Sequence, residues 1–411
     1  MKKSLFAVAA LSALAGAAQA QSSVTVYGIL DVGYIGTNQR VPSTTTTAGA
    51  NTAAYKQTTN TLGQSAESTS RLGFKGNEDL GGGTSAFFTA EFQLYPNDAN
   101  LEGSSGALNT GTSSNPYGGL INRQSFVGLK KNGIGSVSIG TQYTPVYLAG
   151  AGVTAGQYAN MVGSVIYAGN GSGTTSSGFT VRANNSIFAE SDTFAGFKVN
   201  GMYQANNNNR TETLAPYTNS NASTGGVTNV SGWGLGANYT WQKLYVAAGY
   251  QSFSNQTSAS TNGIGALPSG ATAATNGLNL TDNQGLVGAT YDFGILKAYL
   301  GWTTRTATSK VDSSYYAKRS GQEIGVRSYI TPVIESWASV GNGRFQGYGQ
   351  SIPTANFVAW QIGTNYYLSK RTNLYGIFGT NNSSNTSTSA IFPNGAASGI
   401  NQYAVGVRHT F

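Results

Sequence analysis

The chain has 411 residues, of which 9% are charged, and its formal net charge at pH 7 is +8. It contains no cysteine, which excludes a disulfide framework and thiolate chemistry. So low a charge content is not typical of a soluble protein surface. The lysines and arginines are dispersed and form no basic patch, so we expect no binding to nucleic acid.

The first twenty residues have the pattern of a secretory signal peptide. A short basic start precedes the apolar run Leu5–Ala15, and Ala18–Ala20 fits the small-residue cleavage rule. Because this run is too short to span a bilayer comfortably, we expect cleavage before Gln21 rather than retention as an anchor. The mature chain, 21–411, is predicted to be a single domain.

The rest of the chain predicts strands rather than transmembrane helices, because no segment approaches eighteen consecutive apolar residues. Apolar and polar residues alternate with a period of two, as where Phe88 and Phe92 flank Thr89 and Glu91. About sixteen such segments are predicted, near residues 23–34, 69–77, 84–94, 121–130, 136–142, 179–189, 196–206, 230–241, 243–253, 283–292, 295–306, 320–331, 333–343, 357–367, 372–380 and 399–411.

The connections between these strands alternate in length. Short ones such as 131–135 and 292–294 are followed by long polar ones such as 44–61 and 206–226. This pattern is typical of an outer-membrane β-barrel with short periplasmic turns and long external loops. Lipid offers no hydrogen-bond partners, so such a sheet must close on itself. A soluble β-sandwich, which buries two apolar faces against each other, is the alternative fold.

Three stretches carry a resemblance to a known family: SRLGFKGNEDLGGG (Ser70–Gly83), NRQSFVGLK (Asn122–Lys130) and GSVSIGTQYTPVY (Gly135–Tyr147). With the first and last strands, they resemble the Gram-negative general porins, especially the trimeric porins of β-proteobacteria. The resemblance implies a sixteen-stranded antiparallel transmembrane barrel whose third external loop, near 143–178, folds inward to narrow the pore. It also implies a homotrimer in contact with outer-membrane lipid and lipopolysaccharide, inserted by the barrel-assembly machinery and passing small ions and hydrophilic solutes.

Charged side chains in a water-filled constriction set ion selectivity, so the charges that face the lumen are the candidate site. Alternation places Leu72 and Phe74 toward lipid, and therefore Arg71 and Lys75 toward the lumen. The resemblance implies that Arg71 and Arg182 belong to a basic cluster on the barrel wall.

Two other cationic positions depend on strand parity. Phe179 and Val181 are predicted to face lipid at the start of a strand, which places Arg182 inward. Arg123 has the parity of lipid-facing Val127, so it is expected at the membrane edge or a subunit contact unless a bulge shifts the register.

Acidic residues on the lumen face would offset part of this positive charge. Alternation places Asp31 and Glu91 on the lumen face, where they could pair with the cations of the second strand. Glu323, Arg327 and Arg305 are expected to be solvated wall residues.

Two departures from the porin pattern bear on selectivity. A wall arginine common in these porins is replaced here by Thr141, which removes one positive charge. The inward loop often carries acids in the family, yet Tyr143–Val181 contains no Asp, Glu, Lys or Arg. We therefore expect a weak transverse field, a positive mean potential and a modest anion preference.

Two other functions are compatible with an exported β-barrel: an enzyme, and an adhesin or ligand-binding receptor. An enzyme is disfavoured, because the single His409 lies in phase with outward-facing residues and no nucleophile motif with a partner base is present. No metal-ligand spacing or cofactor motif is found either. An adhesin or ligand-binding receptor acting through the external loops would share the fold, so only the presence of conductance separates it from a channel.

The chain ends on an aromatic residue. Tyr403, Val405 and Val407 share the parity of Phe411, which places this row toward lipid in the closing strand. Phe411 is therefore expected in the periplasmic aromatic girdle. The resemblance further implies that a terminal aromatic is the signal read by the outer-membrane assembly machinery.

Overall fold

The structure is a computed structural model. It describes residues 23–41, 44–45, 51–52, 55–98, 101, 120–167, 178–209, 227–257, 278–310, 313, 316–346, 354–384 and 399–411. The expected signal peptide lies outside these residues, as do parts of the long connections.

Within these residues, nineteen strand segments and one short helix follow in chain order. The first half contains β1 (Ser23–Val41), β2 (Thr44–Thr45), β3 (Asn51–Thr52), β4 (Tyr55–Gln64), β5 (Arg71–Gly81), β6 (Thr84–Gln93), β7 (Asn122–Lys131), β8 (Gly135–Tyr143), α1 (Pro145–Ala151), β9 (Arg182–Ser191) and β10 (Phe197–Asn209). The second half contains β11 (Val227–Trp241), β12 (Leu244–Thr257), β13 (Leu278–Asp292), β14 (Lys297–Ser309), β15 (Tyr316–Thr331), β16 (Ile334–Gln346), β17 (Ala355–Tyr367), β18 (Thr372–Ser383) and β19 (Gly399–Thr410).

The strands form one closed antiparallel barrel. Each segment from β5 onward pairs with the next in sequence. The first and last strands pair from Ile29 opposite Thr410 to Arg40 opposite Gly399. Because β4 and β5 both pair with β1, one above the other, they occupy a single strand position. The barrel therefore has sixteen strand positions, as predicted.

The second strand position differs from its prediction. The sequence predicts a long polar connection over 44–61, but residues 55–64 form β4, which pairs with the upper half of β1. The strand then breaks at Ser65–Ser70 and resumes as β5. β4 is rich in Thr, Asn and Gln and carries few apolar residues. Alternation could not reveal it, because strand pairing above the lipid needs no apolar outer face.

The outer wall is apolar and the inner wall is polar. Large apolar side chains exposed on the outside include Val26, Val127, Leu235, Leu300, Ile324 and Val405. The alternate positions carry buried polar groups, including Gln251, Gln284, Gln361 and Asn365. A sheet between lipid and a hydrated interior requires this division, and it reproduces the period of two in the sequence.

The long connection between β8 and β9 turns into the barrel and begins with α1. Thr144 caps the helix, since its Oγ1 accepts a hydrogen bond from the backbone N–H of Tyr147 (3.3 Å). Pro145 and Val146 pack on the inner faces of β11 and β12 at Gly234, Gly236 and Gly249. A Cβ at Gly249 would lie 3.0 Å from the Cα of Val146, so the wall is glycine where the loop approaches closely.

Among the described residues, no helix is long and apolar enough to cross a membrane.

Candidate pore constriction

The inward connection, hereafter the third loop (residues 144–181), is fixed to the far wall by polar side chains. Glu323 accepts hydrogen bonds from Ser164 Oγ (2.9 Å) and from the backbone N–H groups of Val165 and Ile166. Arg327 Nη1 donates to the carbonyl oxygen of Ala155 (2.6 Å). These contacts anchor the loop across the lumen.

Two further wall residues complete the attachment. Arg319 Nη2 donates to the carbonyl oxygen of Val165 (2.6 Å), and Gln361 Nε2 donates to the carbonyl oxygens of Met161 and Val162 (3.1 Å each). Glu323 and Arg327 are therefore not the solvated wall residues that the sequence predicted. Arg305 is also buried, where it forms an ion pair with Asp282 (2.6 Å).

The loop contributes a cluster of tyrosines rather than charges to the constriction; Tyr147 and Tyr167 are partly exposed, and Tyr158 is buried. Tyr143, at the end of β8, stacks on Tyr147 with ring centroids 4.2 Å apart, and Tyr158 lies 4.3 Å from Tyr167. Burial raises the pKa of the Tyr147, Tyr158 and Tyr167 hydroxyls, so these groups stay neutral at physiological pH. The sequence predicts the absence of charge from this loop but not the role of its tyrosines. Their repeated occurrence within an uncharged loop is the sequence feature that could have indicated them.

Three arginines of the wall converge opposite these tyrosines. The positive charges of Arg71, Arg123 and Arg182 all act on the hydroxyl of Tyr167. Arg123 Nη2 also donates a hydrogen bond to the hydroxyl of Tyr143 (3.0 Å). We call these three residues the arginine cluster.

Glu91 is the carboxylate in contact with the arginine cluster. Its Oε1 accepts from Arg123 Nε at 2.8 Å and lies 3.9 Å from Arg71 Nη1, while Tyr27 donates to Oε2 at 3.2 Å. Arg182 takes part in none of the salt bridges among the described residues, and its buried Nη1 has no hydrogen-bond partner. The cluster therefore contains more positive than negative charge.

Arg123 points into the barrel, contrary to the parity argument. Glu91 pairs with Gln124 but the next residue, Phe92, pairs with Asn122, so Arg123 is the extra residue of a β-bulge. Its exposed fraction is 6%, which excludes a position on the lipid-facing wall. Gln124, which pairs with inward-facing Glu91, already has inward parity, and the bulge turns Arg123 to the same side.

The surroundings of Arg182 also differ from those that the sequence predicts. β9 begins only at Arg182, and Phe179 and Val181 belong to the third loop, where they pack inside the barrel in its apolar cluster instead of facing lipid. Arg182 still points inward, because it pairs with Tyr143 across β8 and β9. Its placement follows from this pairing and not from the alternation that predicted it.

Asp31 and Lys75 lie apart from the arginine cluster. Asp31 is fully buried and accepts hydrogen bonds from the backbone N–H groups of Glu67 and Ser68 and from the Tyr375 hydroxyl. It therefore holds the break between β4 and β5 rather than pairing with a cation of the second strand. The ammonium group of Lys75 is exposed and lies 5.5 Å from the ring centroid of Tyr27.

A second inward network was not predicted from sequence. Glu67, in the break, accepts from Asn365 Nδ2 (2.9 Å) and Asn373 Nδ2 (3.0 Å) and lies 3.4 Å from Arg408. Asn160 of the third loop donates to the carbonyl oxygen of Ser65 (2.8 Å). The break and the third loop thus support each other inside the lumen. Among the described residues, no group of three or more acidic or histidine side chains could hold a metal ion.

Comparisons with known proteins agree with this architecture. The model of a protein family described as Gram-negative porin matches residues 7–386 of this chain. Outer membrane porin protein 32 of Delftia acidovorans is 27% identical over 425 residues, with 100% of both chains covered. Among solved structures, the anion-selective porin from Comamonas acidovorans has a TM-score of 0.63 at 23% identity, covering 95% of this chain and 100% of that chain. OmpT of Vibrio cholerae in its trimer form has a TM-score of 0.58 at 14% identity, covering 95% and 99%.

The matched relatives are porins, which are channels rather than enzymes. The match to the family model spans most of the chain, and the closed sixteen-strand barrel is also the fold of the solved structures that this chain resembles. The chain belongs to the family of Gram-negative porins and is a protein of the outer membrane.

Proposed function

We propose that this outer-membrane channel, which serves passive diffusion of small hydrophilic solutes and ions, has a modest preference for anions. The observation that carries the proposal is the composition of the constriction. Among the described residues, Glu91 is the one carboxylate that contacts the arginine cluster, through Arg71 and Arg123 and not through Arg182, and the third loop presents neutral tyrosines there. The charges leave the narrow zone net positive.

Screening explains why this cluster should outweigh charges elsewhere in the barrel. At ordinary salt the Debye length is about 10 Å, so only charges near the narrowest part act strongly on a passing ion. The ion pairs Arg305–Asp282 and Arg327–Glu335 are buried and internally compensated. Lys75 adds positive charge from a more exposed position. Asp31 is enclosed by its hydrogen bonds and contributes less.

The test is the reversal potential of the purified protein in a planar bilayer under a salt gradient. We expect a slight anion preference in the parent and a shift toward cations in Arg71→Ser and in Arg182→Ser. Lys243→Ser removes the same charge from the exposed turn between β11 and β12 and should leave the potential unchanged. A cation-selective parent, or an equal shift in the control, would overturn the proposal.

The adhesin alternative makes a different prediction in the same apparatus. If the folded protein opened no conducting pores, the long external connections would become the functional part of the molecule. No contact among the described residues favours that function over diffusion.

We further propose that residues 1–20 are a cleaved signal peptide and that the barrel assembles as a homotrimer. The first proposal rests on the sequence pattern, and the second on the likeness to porins of which one is described as a trimer. Contacts with lipopolysaccharide and with the barrel-assembly machinery are proposed on the same family grounds. N-terminal sequencing of the exported protein should begin at Gln21, and native mass spectrometry should give three chains per particle.

A further inference from the structure

The end of β8 and the third loop place four tyrosine rings in contact with one another inside the barrel. The rings follow in the order Tyr143, Tyr147, Tyr158 and Tyr167, with successive centroids 4.2, 4.8 and 4.3 Å apart. Tyr158 is buried in the apolar cluster of the loop, whereas the other three rings are partly exposed. We call these four residues the tyrosine series.

Both ends of the tyrosine series lie at the arginine cluster. Tyr143 accepts a hydrogen bond from Arg123 (3.0 Å), and the charges of all three arginines act on the hydroxyl of Tyr167. Among the described residues, the first ring contacts only the ring of Tyr147, and the last contacts only the ring of Tyr158. Each end ring therefore keeps one face that no other described ring covers.

Two arginines of the cluster remain accessible from the lumen. Arg123 is 6% exposed and already contacts Glu91 and Tyr143. Arg71 has 20% of its side chain exposed and lies 3.9 Å from Glu91. Arg182 is partly exposed and takes part in none of the salt bridges among the described residues. A solute anion that enters here meets two guanidinium groups whose charge is only partly compensated.

The constriction thus combines two kinds of recognition within one narrow zone. Guanidinium groups bind carboxylates through charge-assisted hydrogen bonds. Tyrosine rings attract another aromatic ring in offset-stacked or edge-to-face arrangements, beyond the gain from burial alone. An aliphatic carboxylate can use only the first of these interactions, and an uncharged aromatic solute only the second. A solute with a carboxylate on an aromatic ring can use both.

We propose that the constriction binds aromatic monocarboxylates in preference to aliphatic ones of the same charge and similar size. The carboxylate of the solute lies at Arg71 and Arg182, and its ring packs on the uncovered face of Tyr167. This inference rests on the proposed anion preference and adds a class of solute to it. Tyrosines in place of the acids of an inward loop serve both purposes, because they do not repel the carboxylate and they attract the ring.

The test is the inhibition of chloride conductance of the purified protein in a planar bilayer by an added solute. Benzoate is compared with cyclohexanecarboxylate, which has the same charge and a similar ring without aromatic faces, and with benzamide, which has the aromatic ring without the charge. We expect benzoate to reach half-inhibition at a concentration about fivefold lower than cyclohexanecarboxylate, the factor that about 1 kcal/mol of aromatic stacking gives. Benzamide should inhibit least.

Variants assign this preference to particular residues. Tyr167→Leu should abolish the difference between benzoate and cyclohexanecarboxylate, whereas Tyr167→Phe, which keeps the ring, should retain it. Tyr245→Leu is the matched control and should behave as the parent, because Tyr245 packs against the same apolar cluster but lies at Gly152 of the loop. Arg182→Gln should raise the half-inhibition concentration of both anions and leave their ratio unchanged.

Three results would overturn the inference: equal inhibition by benzoate and cyclohexanecarboxylate in the parent, a preference that persists in Tyr167→Leu, or an equal loss of preference in Tyr245→Leu. The first comparison needs no variant, so it decides the question even if a variant does not fold. The reversal potential in a chloride gradient tests the proposed function separately. An anion-selective parent that does not distinguish the two carboxylates refutes only this inference, whereas a cation-selective parent refutes the anion preference itself.

Discussion

Glu91 controls how much of the positive charge in the constriction acts on a passing ion. Its carboxylate is shared between Arg123 and Arg71 and is further bound by the hydroxyl of Tyr27. Arg123 has a second partner in the Tyr143 hydroxyl, so it is not held by Glu91 alone. Glu91 therefore reduces the positive field of the arginine cluster while helping to orient the Arg71 and Arg123 side chains.

Replacing Glu91 by Gln should increase the anion preference of the channel. The amide keeps the shape and can still accept from Arg123, but it removes the negative charge in contact with the cluster. The shift should appear in the reversal potential under a salt gradient, with Glu190→Gln as the control, because Glu190 pairs with Lys198 at the short-turn end. A shift toward cations would contradict the assignment of Glu91.

At the scale of elements, the third loop is held as a rigid inner wall. Polar groups of β15 and β17 fix its tip, and an apolar cluster including Val146, Val153, Tyr158 and Ile166 packs it onto β12 and β13. A charged hydrogen bond is worth about 2 kcal/mol, so several such anchors keep the loop in one position. The width of the pore depends on this attachment.

Gly379 of β18 gives a direct test of the attachment. A Cβ at this position would overlap the carbonyl oxygen of Val162, at the tip of the loop. Gly379→Ala should push the tip into the lumen, lower the single-channel conductance and cost about 2 kcal/mol of stability through overpacking. Gly376→Ala on the same strand is the matched control, since nothing lies within 4 Å of its added Cβ. Unchanged conductance in Gly379→Ala would show that the tip is not seated on β18.

At the scale of the whole molecule, the barrel closes where its two terminal strands meet. Phe411 exchanges two backbone hydrogen bonds with Gly28, each 3.1 Å long, immediately beyond the paired residues of β19. The aromatic ring lies over Gly28, where a Cβ would overlap it, and it is 41% exposed on the outer wall. The last residue is thus part of the seam.

Phe411→Ala should reduce the amount of folded barrel in the outer membrane of cells, whereas Phe411→Trp should preserve it. The alanine variant keeps the backbone bonds to Gly28 but removes the ring that covers this glycine and the proposed assembly signal. The measurement is the fraction of heat-resistant barrel on gels after membrane fractionation. Refolding the same variants in detergent separates the two effects, because a pure signal defect would leave refolding intact.

The residues whose orientation the sequence predicted correctly lie where lipid enforces alternation. Arg71 and Glu91 are flanked by residues of strict period two and point inward as expected. In the last strand, Tyr403, Val405 and Phe411 are exposed on the outer wall, again as expected. Here one face must meet hydrocarbon, so local pattern is enough.

Other placements could be decided only by the tertiary structure. The inward turn of Arg123 depends on a bulge against β6, which leaves no mark in the period of β7. The contacts of Glu323 with the third loop join residues more than 150 positions apart. Inside the hydrated lumen both faces of a segment can be polar, so alternation carries no information about loops that fold back there.

The sequence by itself determined the closed barrel, its sixteen strand positions and the absence of charge from the third loop. The first two follow from local pattern, because the bilayer imposes the same apolar requirement on every strand, and the third is read directly from the composition of residues 143–181. Only the tertiary structure decided which wall cations meet the loop and which of them are neutralised. That depends on separations of a few ångströms between distant segments, and no local pattern encodes them.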